Sequence, residues 1–296
     1  MKLGAIISQA DSGTDPDAIR RFATSVEAAG YEHLMAYDHI LGAPAEMFTP
    51  PIGSFPSAPY TNEHVFHEIL VLFSHLAAVT TRLGFVTSVL VVPQRQTAVA
   101  AKQISTIDLL SGGRLRVAVG VGWNNVEYAA LGTEFASRTR RLEEQITVMR
   151  KLWTEPLVTF DGEFHHLTNV GINPLPSRPI PVWIGSGAAD PVLRRVVRCA
   201  DGWMPLLIPG LDIDVRTAVT KLRHAAQDAG RDPATLPIHG RAYLGAGWQQ
   251  MVTDGLELGF SDFSIGYNRM AHPGAPLDEH LDATLAAKDE LDRLVG

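Results

Sequence analysis

The chain has 296 residues, 46% of them hydrophobic and 19% charged, and a formal net charge of -7. This size and apolar content suit one α/β domain spanning 1–296 with a sizeable core, and an acidic chain without a basic patch argues against nucleic acid as a partner. The single cysteine, Cys199, excludes an internal disulfide and indicates a reducing compartment. With no signal-peptide pattern after Met1 and no apolar run long enough to cross a membrane, the expected location is cytoplasmic, with no membrane partner.

In chain order, short β-branched runs alternate with longer stretches whose apolar residues recur at spacings of three and four. Strand 1 is expected at Leu3 to Ser8 and helix 1 at Asp15 to Ala29, with Asp15 as N-cap, Pro16 at the first helical position and Gly30 as the stop. Strand 2 starts at Tyr31 and ends at His39, a Pro- and Gly-rich stretch runs from Leu41 to Asn62, and helix 2 covers His64 to Thr80. Strand 3 is Leu83 to Val91, helix 3 Thr97 to Leu110 and strand 4 Leu115 to Val121, followed by a broken helix at Val126 to Leu131 and Arg138 to Trp153. The segment Val158 to His165 carries an Asp161-Gly162 turn between strand formers, which marks a hairpin insertion and not a further unit of the alternation. Four more units follow: Pro181 to Ile184 with Pro191 to Cys199, Gly202 to Leu206 with Val215 to Ala229, Ile238 to Leu244 with Gln249 to Leu258, and Asp262 to Gly266 with Leu277 to Leu294. Eight such units predict a (β/α)8 TIM barrel with a long loop after strand 2 and a hairpin insertion before strand 5; an open doubly wound sheet is the structural alternative.

In a parallel barrel the C-terminal strand ends carry the chemistry, which singles out Asp38 and His39 after strand 2 as catalytic candidates. Histidine suits proton transfer near neutral pH. Strand 4 ends in Gly120-Val121-Gly122-Trp123, where small residues permit close backbone approach to a ligand. Strand 5 ends in Gly185-Ser186-Gly187-Ala188 before a helix N-terminus, which is either a phosphate cradle or an ordinary βα turn. Trp123, Trp203 and Tyr267 are substrate-pocket candidates, with packing at the barrel rim as the alternative for the last two. His64 and His67 lack a carboxylate third ligand at suitable spacing, so no metal site is expected. The stretch from Gly42 to Asn62, with Met47, Phe48, Phe55 and Tyr60, is too long for a plain connector and reads as a lid over a hydrophobic substrate. The clusters Arg138, Arg140, Arg141 and Arg194, Arg195, Arg198 are solvated helix faces or holders of an anionic tail.

Taken together and in order, Asp38-His39, Pro93-Gln94-Arg95, Asp108 to Arg114, Gly120 to Trp123, the Phe160-Asp161-Gly162 hairpin, Pro179 to Gly185 and Ala200 to Trp203 resemble the bacterial luciferase-like monooxygenase superfamily, and within it the coenzyme F420-dependent oxidoreductase branch. The resemblance covers nearly the whole chain. It implies a flavin-like ring in the barrel mouth, its phosphate on the Gly185 to Ala188 loop, and a non-proline cis peptide at Ser88-Val89 forming a bulge behind the ring. It also implies that His39 sits at the redox edge of the ring, with Asp38 orienting it or bonding the ring. Where some deazaflavin dehydrogenases place a glutamate just after the strand 4 glycines, this chain has Trp123 and Asn124, so their sugar-phosphate chemistry does not carry over.

Three functions are compatible with this reading. The leading one is hydride transfer between coenzyme F420 and a small organic substrate, for which basic groups such as Arg95 or the Arg138 to Arg141 cluster would hold the polyanionic tail. The alternatives are a reduced-FMN monooxygenase that uses O₂ and a separate flavin reductase, and a non-catalytic flavin-binding barrel. The resemblance further implies a homodimer, and helix 2, with Phe66, Ile69, Leu70, Leu72, Phe73 and Leu76, is apolar over more than one stripe and is either the dimer interface or a helix covered on both sides beneath the hairpin insertion.

Overall fold

A parallel strand that begins buried at both ends of its register needs a neighbour on each side, and here the neighbours form a ring. The computed structural model describes residues 1–48, 58–207, 214–268 and 273–296. Its barrel strands are β1 (Lys2–Ile6), β2 (His33–Ala36), β3 (Gly84–Thr87), β4 (Leu115–Val119), β7 (Val182–Ser186), β8 (Gly202–Pro205), β9 (His239–Tyr243) and β10 (Asp262–Gly266), while β5 (Val158–Asp161) and β6 (His166–Val170) form a separate antiparallel hairpin. The strand order is β8-β7-β4-β3-β2-β1-β10-β9. A parallel bridge between Trp203 and Ile238, with the Trp203 N–H donating to the Pro237 carbonyl at 3.0 Å, joins the two ends. The sheet is therefore a closed barrel and not an open doubly wound sheet.

Helices α1 (Pro16–Ala28), α2 (Ile69–Val79), α3 (Thr97–Leu110), α4 (Asn125–Ala130), α5 (Arg138–Thr154), α6 (Asp190–Cys199), α7 (Val215–Asp228), α8 (Trp248–Glu257), α9 (Leu277–Ala286) and α10 (Lys288–Val295) surround it. Asp15 caps α1 as its sequence suggests, accepting from the Asp17 N–H at 3.0 Å. The last helix is two, divided at Ala287. Helix α2 starts five residues later than the periodicity suggests, because Glu68 is its N-cap and accepts from the Val71 N–H at 2.8 Å, leaving Phe66 outside the helix. Ile69, Leu70, Leu72, Phe73 and Leu76 are buried within this chain, and Val71 is the exposed exception at 65%. The apolar face assigned above to a partner subunit is thus spent on the protein's own core. Cys199 is half-buried against the core. No helix among the described residues is long and apolar enough to cross a membrane.

The barrel interior is apolar in its middle, where Ile6, Met35, Val86, Ala118, Trp183 and Met204 pack together. Its N-terminal end is polar. His33 Nε2 lies 3.2 Å from His239 Nε2, and both nitrogens are 2.8 Å from Ser264 Oγ. Arg116 faces His239 Nδ1 at 3.4 Å and is held by Asp262 at 2.9 Å and by the Trp183 ring, 4.6 Å from its centroid. A guanidinium only donates, so His239 Nδ1 is the acceptor and its proton resides on Nε2. Burial drives the His33 imidazole down to about 3, and burial, His33 and Arg116 hold His239 well below its ordinary value.

Both rings are neutral when folded and take up a proton only when unfolded, so their contribution to stability is complete above about pH 6.5 and is lost as pH falls toward 3. The expected slope is up to about 1.4 kcal/mol per pH unit for each histidine. Melting temperature measured between pH 7 and pH 4 should fall steadily, and His239→Asn, which keeps an acceptor for Arg116 but does not titrate, should make the fall shallower. An equal slope in wild type and variant would place the acid sensitivity elsewhere.

Candidate active site

The C-terminal strand ends enclose a cavity of about 540 Å³, within the usual size of a small-molecule site. Its back wall is the Ser88-Val89 segment, whose peptide bond is cis, as the resemblance implies. The glycines on either side have a specific task. A Cβ on Gly120 would lie 2.3 Å from Val89 Cγ2, and a Cβ on Gly185 would lie 2.1 Å from Val89 Cγ1. Gly120 and Gly185 therefore make room for the bulge side chain, and their closeness to a ligand is secondary. Gly122 is required for another reason: its φ is +64°, in the left-handed region.

His39 lies three residues past the end of β2 and lines the cavity. Its ring is flanked by Tyr60, Phe66 and Trp123, at centroid distances of 3.9, 5.0 and 6.0 Å. Its Nδ1 is 3.6 Å from Oε2 of Glu127, a carboxylate whose side chain is 1% exposed. Glu127 also accepts the Ile40 and Leu41 N–H groups at 2.5 and 3.0 Å and the Gln94 amide at 3.0 Å. Burial alone would raise its pKa, but the His39 ring and the Leu41 and Ile40 N–H groups outweigh burial and hold the carboxyl below its usual range.

This arrangement corrects the part assigned to Asp38. Its two oxygens are taken by Arg95, at 2.7 Å, and by the Val91 N–H, at 2.9 Å, so it ties the end of β2 to the segment after β3 and neither orients His39 nor faces a ring as a free acceptor. Burial pushes the Asp38 carboxyl above its usual value, against the pull of Arg95 and the Val91 N–H. Arg95 is likewise spent, on Asp38 and on Glu68 at 2.7 Å, and does not serve as an anchor for a cofactor tail.

Gly185, Ser186 and Gly187 before α6 line the cavity beside Val89, and Arg138 and Arg195, the latter paired with Glu143 at 2.7 Å, are also among its lining residues. Gly187 has open space where a Cβ would stand, so its backbone is accessible. Ser186 Oγ accepts from Trp203 Nε1 at 3.1 Å. Trp203 itself is fully buried and does not line the cavity, so its assignment is corrected. Tyr267 does line it, with its hydroxyl donating to Glu279. Val121 and Trp123 complete the wall, and Phe48 packs on Trp123 at 5.4 Å. Phe55 lies outside the described residues.

A loop with open backbone at Gly187, two arginines in the same cavity, and the Val89 bulge and an aromatic-flanked histidine in its wall fit a planar, phosphorylated ring cofactor. No group of three or more potential metal ligands occurs among the described residues. His64 instead bonds Thr61, and His67 bonds the Gly13 carbonyl at 3.0 Å. A groove of about 730 Å³ between α6 and α7 lies on the outside of the barrel, where Lys221 pairs with Asp190 and Arg231 caps the Val197 and Ala200 carbonyls.

Fold and site define a (β/α)8-barrel protein with its ligand cavity at the strand C-termini. The chain belongs to the luciferase-like monooxygenase family, whose model matches residues 2–250, and thus to a superfamily of oxidoreductases and monooxygenases. It is 37% identical over 205 residues to an uncharacterised protein of Mycobacterium tuberculosis, covering 67% of this chain and 68% of that one. It is 28% identical over 223 residues to an F420-dependent glucose-6-phosphate dehydrogenase of Segniliparus rotundus, covering 74% of this chain and 61% of that one. Among solved structures, the monooxygenase RslO1 of Streptomyces bottropensis superposes over the whole of both chains with a TM-score of 0.77 at 17% identity. An F420-dependent secondary alcohol dehydrogenase in complex with an F420-acetone adduct superposes over 98% of this chain and 83% of that one, with a TM-score of 0.65 at 17% identity.

Glu127 was missed in the sequence, though Asn124-x-x-Glu127 has the form of a helix-capping pair. Asn124 does cap α4, accepting from the Glu127 N–H at 3.1 Å, and it donates to the Tyr60 hydroxyl at 2.7 Å. The contact of Val89 with the two glycines yields a test. Gly120→Ala and Gly185→Ala should each lower the unfolding free energy in urea by about 1–3 kcal/mol through overpacking, whereas Gly187→Ala should leave it within about 0.5 kcal/mol. Equal effects at the three positions would contradict the packing described.

Proposed function

We propose that the protein is an oxidoreductase that moves a hydride between coenzyme F420 and a small organic substrate, with His39 as the proton carrier. The observation that carries this reading is the His39 ring in the cavity wall with the buried Glu127 carboxylate 3.6 Å behind its Nδ1. The F420-dependent relative from Segniliparus rotundus supports the choice of cofactor.

When bound, the deazaflavin supplies or accepts the hydride. The chain's residues do the rest. Val89 and Ser88 back the ring, and Gly185, Ser186 and Gly187 with Arg138 and Arg195 receive the phosphate. Tyr60, Phe66 and Trp123 exclude water from the imidazole. His39 transfers the proton that must accompany the hydride to or from the substrate oxygen or carbon, with the Glu127 carboxylate 3.6 Å from its Nδ1. Asp38 and Arg95 hold the loop in place.

Titration of the purified protein with oxidised F420, oxidised FMN and anaerobically reduced FMN, followed by fluorescence or absorbance, should show tight binding of the deazaflavin and weak binding of both FMN forms. Preferential binding of reduced FMN would replace this reading by an O₂-using monooxygenase that needs a flavin reductase, and binding of neither would remove both. His39→Ala should keep F420 binding and lower kcat by about 10²–10⁴-fold in a substrate screen. Glu127→Gln should lower kcat by about ten- to a hundredfold with the cofactor Kd unchanged. Loss of cofactor binding in either variant would assign these residues to cofactor affinity instead.

A further inference from the structure

Arg241 on β9 is 4% exposed, making it the single arginine among the described residues that is fully buried. It lines the cavity. Of the half-buried arginines, Arg95, Arg116, Arg150, Arg178 and Arg195 pair with a carboxylate at 2.5–2.9 Å, whereas Arg114, Arg138 and Arg231 bond backbone carbonyls. Arg241 has no carboxylate partner among the described residues. Its Nη1 donates to Ser88 Oγ at 2.8 Å, and its Nε has no hydrogen-bond partner. The mutually bonded hydroxyls of Tyr37 and Tyr243 stand beside it, and burial keeps the Tyr37 hydroxyl protonated, with its pKa well above the ordinary value, so it brings no countercharge.

β9 and β3 lie four places apart either way around the eight-membered ring, so a side chain that reaches from residue 241 to Ser88 crosses the barrel axis. The guanidinium therefore forms the floor of the cavity, against Ser88. A buried cation whose partners, Ser88 and the Tyr37 hydroxyl, are all neutral is costly and is retained where an anion completes it.

We propose that Arg241 is the receptor for a planar organic anion, carboxylate-like in its charge distribution, carried into the floor of this cavity by the reacting molecule. The inference deepens the oxidoreductase reading by naming the charge of its substrate, and it rests on that reading only for the identity of the cavity as the reaction site. The same chemistry has a second source, a cofactor ring that becomes negatively charged when reduced.

Benzoate and its neutral isostere benzamide separate charge from shape. In the apo-protein, benzoate should raise the melting temperature and benzamide should not. In Arg241→Met the affinity for benzoate, read from the dose dependence of the shift, should fall about ten- to a hundredfold, while Arg241→Lys should retain part of the preference. Arg241→Met without ligand should melt at the same temperature as wild type or higher, since an unmatched buried charge has been removed. A lower melting temperature would make Arg241 a structural strut and overturn the proposal, as would equal shifts from benzoate and benzamide or a benzoate preference that survives in Arg241→Met.

Repeating the benzoate titration with oxidised F420 bound distinguishes the two sources: an additive shift assigns the anion to the substrate, and a lost shift assigns it to the ring. The apo-protein arms need no cofactor and no turnover. A failure of the F420 reading therefore leaves them intact, and their own failure leaves the F420 reading standing.

Discussion

The buried carboxylate of Glu127 is the constraint on which the site depends. It collects donors from two separate parts of the chain, the Ile40 and Leu41 amides after β2 and the Gln94 side chain before α3, and it stands 3.6 Å from the His39 ring. Each unmet donor or acceptor in such a place costs about 1–3 kcal/mol, so the loop after β2 has little freedom to move away from α4 without leaving the carboxylate bare. The position of Glu127 is set by Asn124, whose side chain caps the start of α4 and whose amide also fixes Tyr60. A helix cap, an aromatic wall and a charge partner thus share one short segment.

The barrel divides its polar residues by end. At the N-terminal end, two neutral histidines share a serine, and Arg116 is answered by Asp262. Every strong charge there has a partner, and the cluster contributes to holding strands β2, β4, β9 and β10 in register. At the C-terminal end, Asp38, Arg95 and Glu68 also neutralise one another, but Arg241 is left with neutral neighbours. The closed end is built for the fold and the open end for a guest, the separation of stability and chemistry that parallel barrels favour.

Much of the architecture was legible in the sequence because periodicity and turn chemistry agree there. Helix α3 and strand β10 coincide with their expected limits, the break between α4 and α5 is where the apolar spacing lapses, and the Asp161-Gly162 hairpin stands outside the ring. What was not legible arises from contacts across long sequence separations. Asp38 and His39 are adjacent in sequence, yet one turns to Arg95 and the other to Glu127, and nothing in the dipeptide distinguishes them. Trp203 has the composition of a rim aromatic but is drawn into the core by the closure of β8 on β9. The apolar stripes of α2 read as an interface because the sequence does not show how much of them α1 and α3 cover. Arg241 drew no notice, since a lone arginine in a strand becomes unusual only when the absence of a carboxylate around it is visible in three dimensions.

The side chain of Val89 occupies the volume that two Cβ atoms, on β4 and β7, would otherwise fill. Positions 89, 120 and 185 therefore share a single allotment of space, although they come from three strands. In an evolving lineage a methyl gained at 120 or 185 is tolerable only after one is lost at 89, so the three sites are epistatic and their histories should be correlated. The shape of the surface against which a ring would rest is in that sense one inherited character, not three.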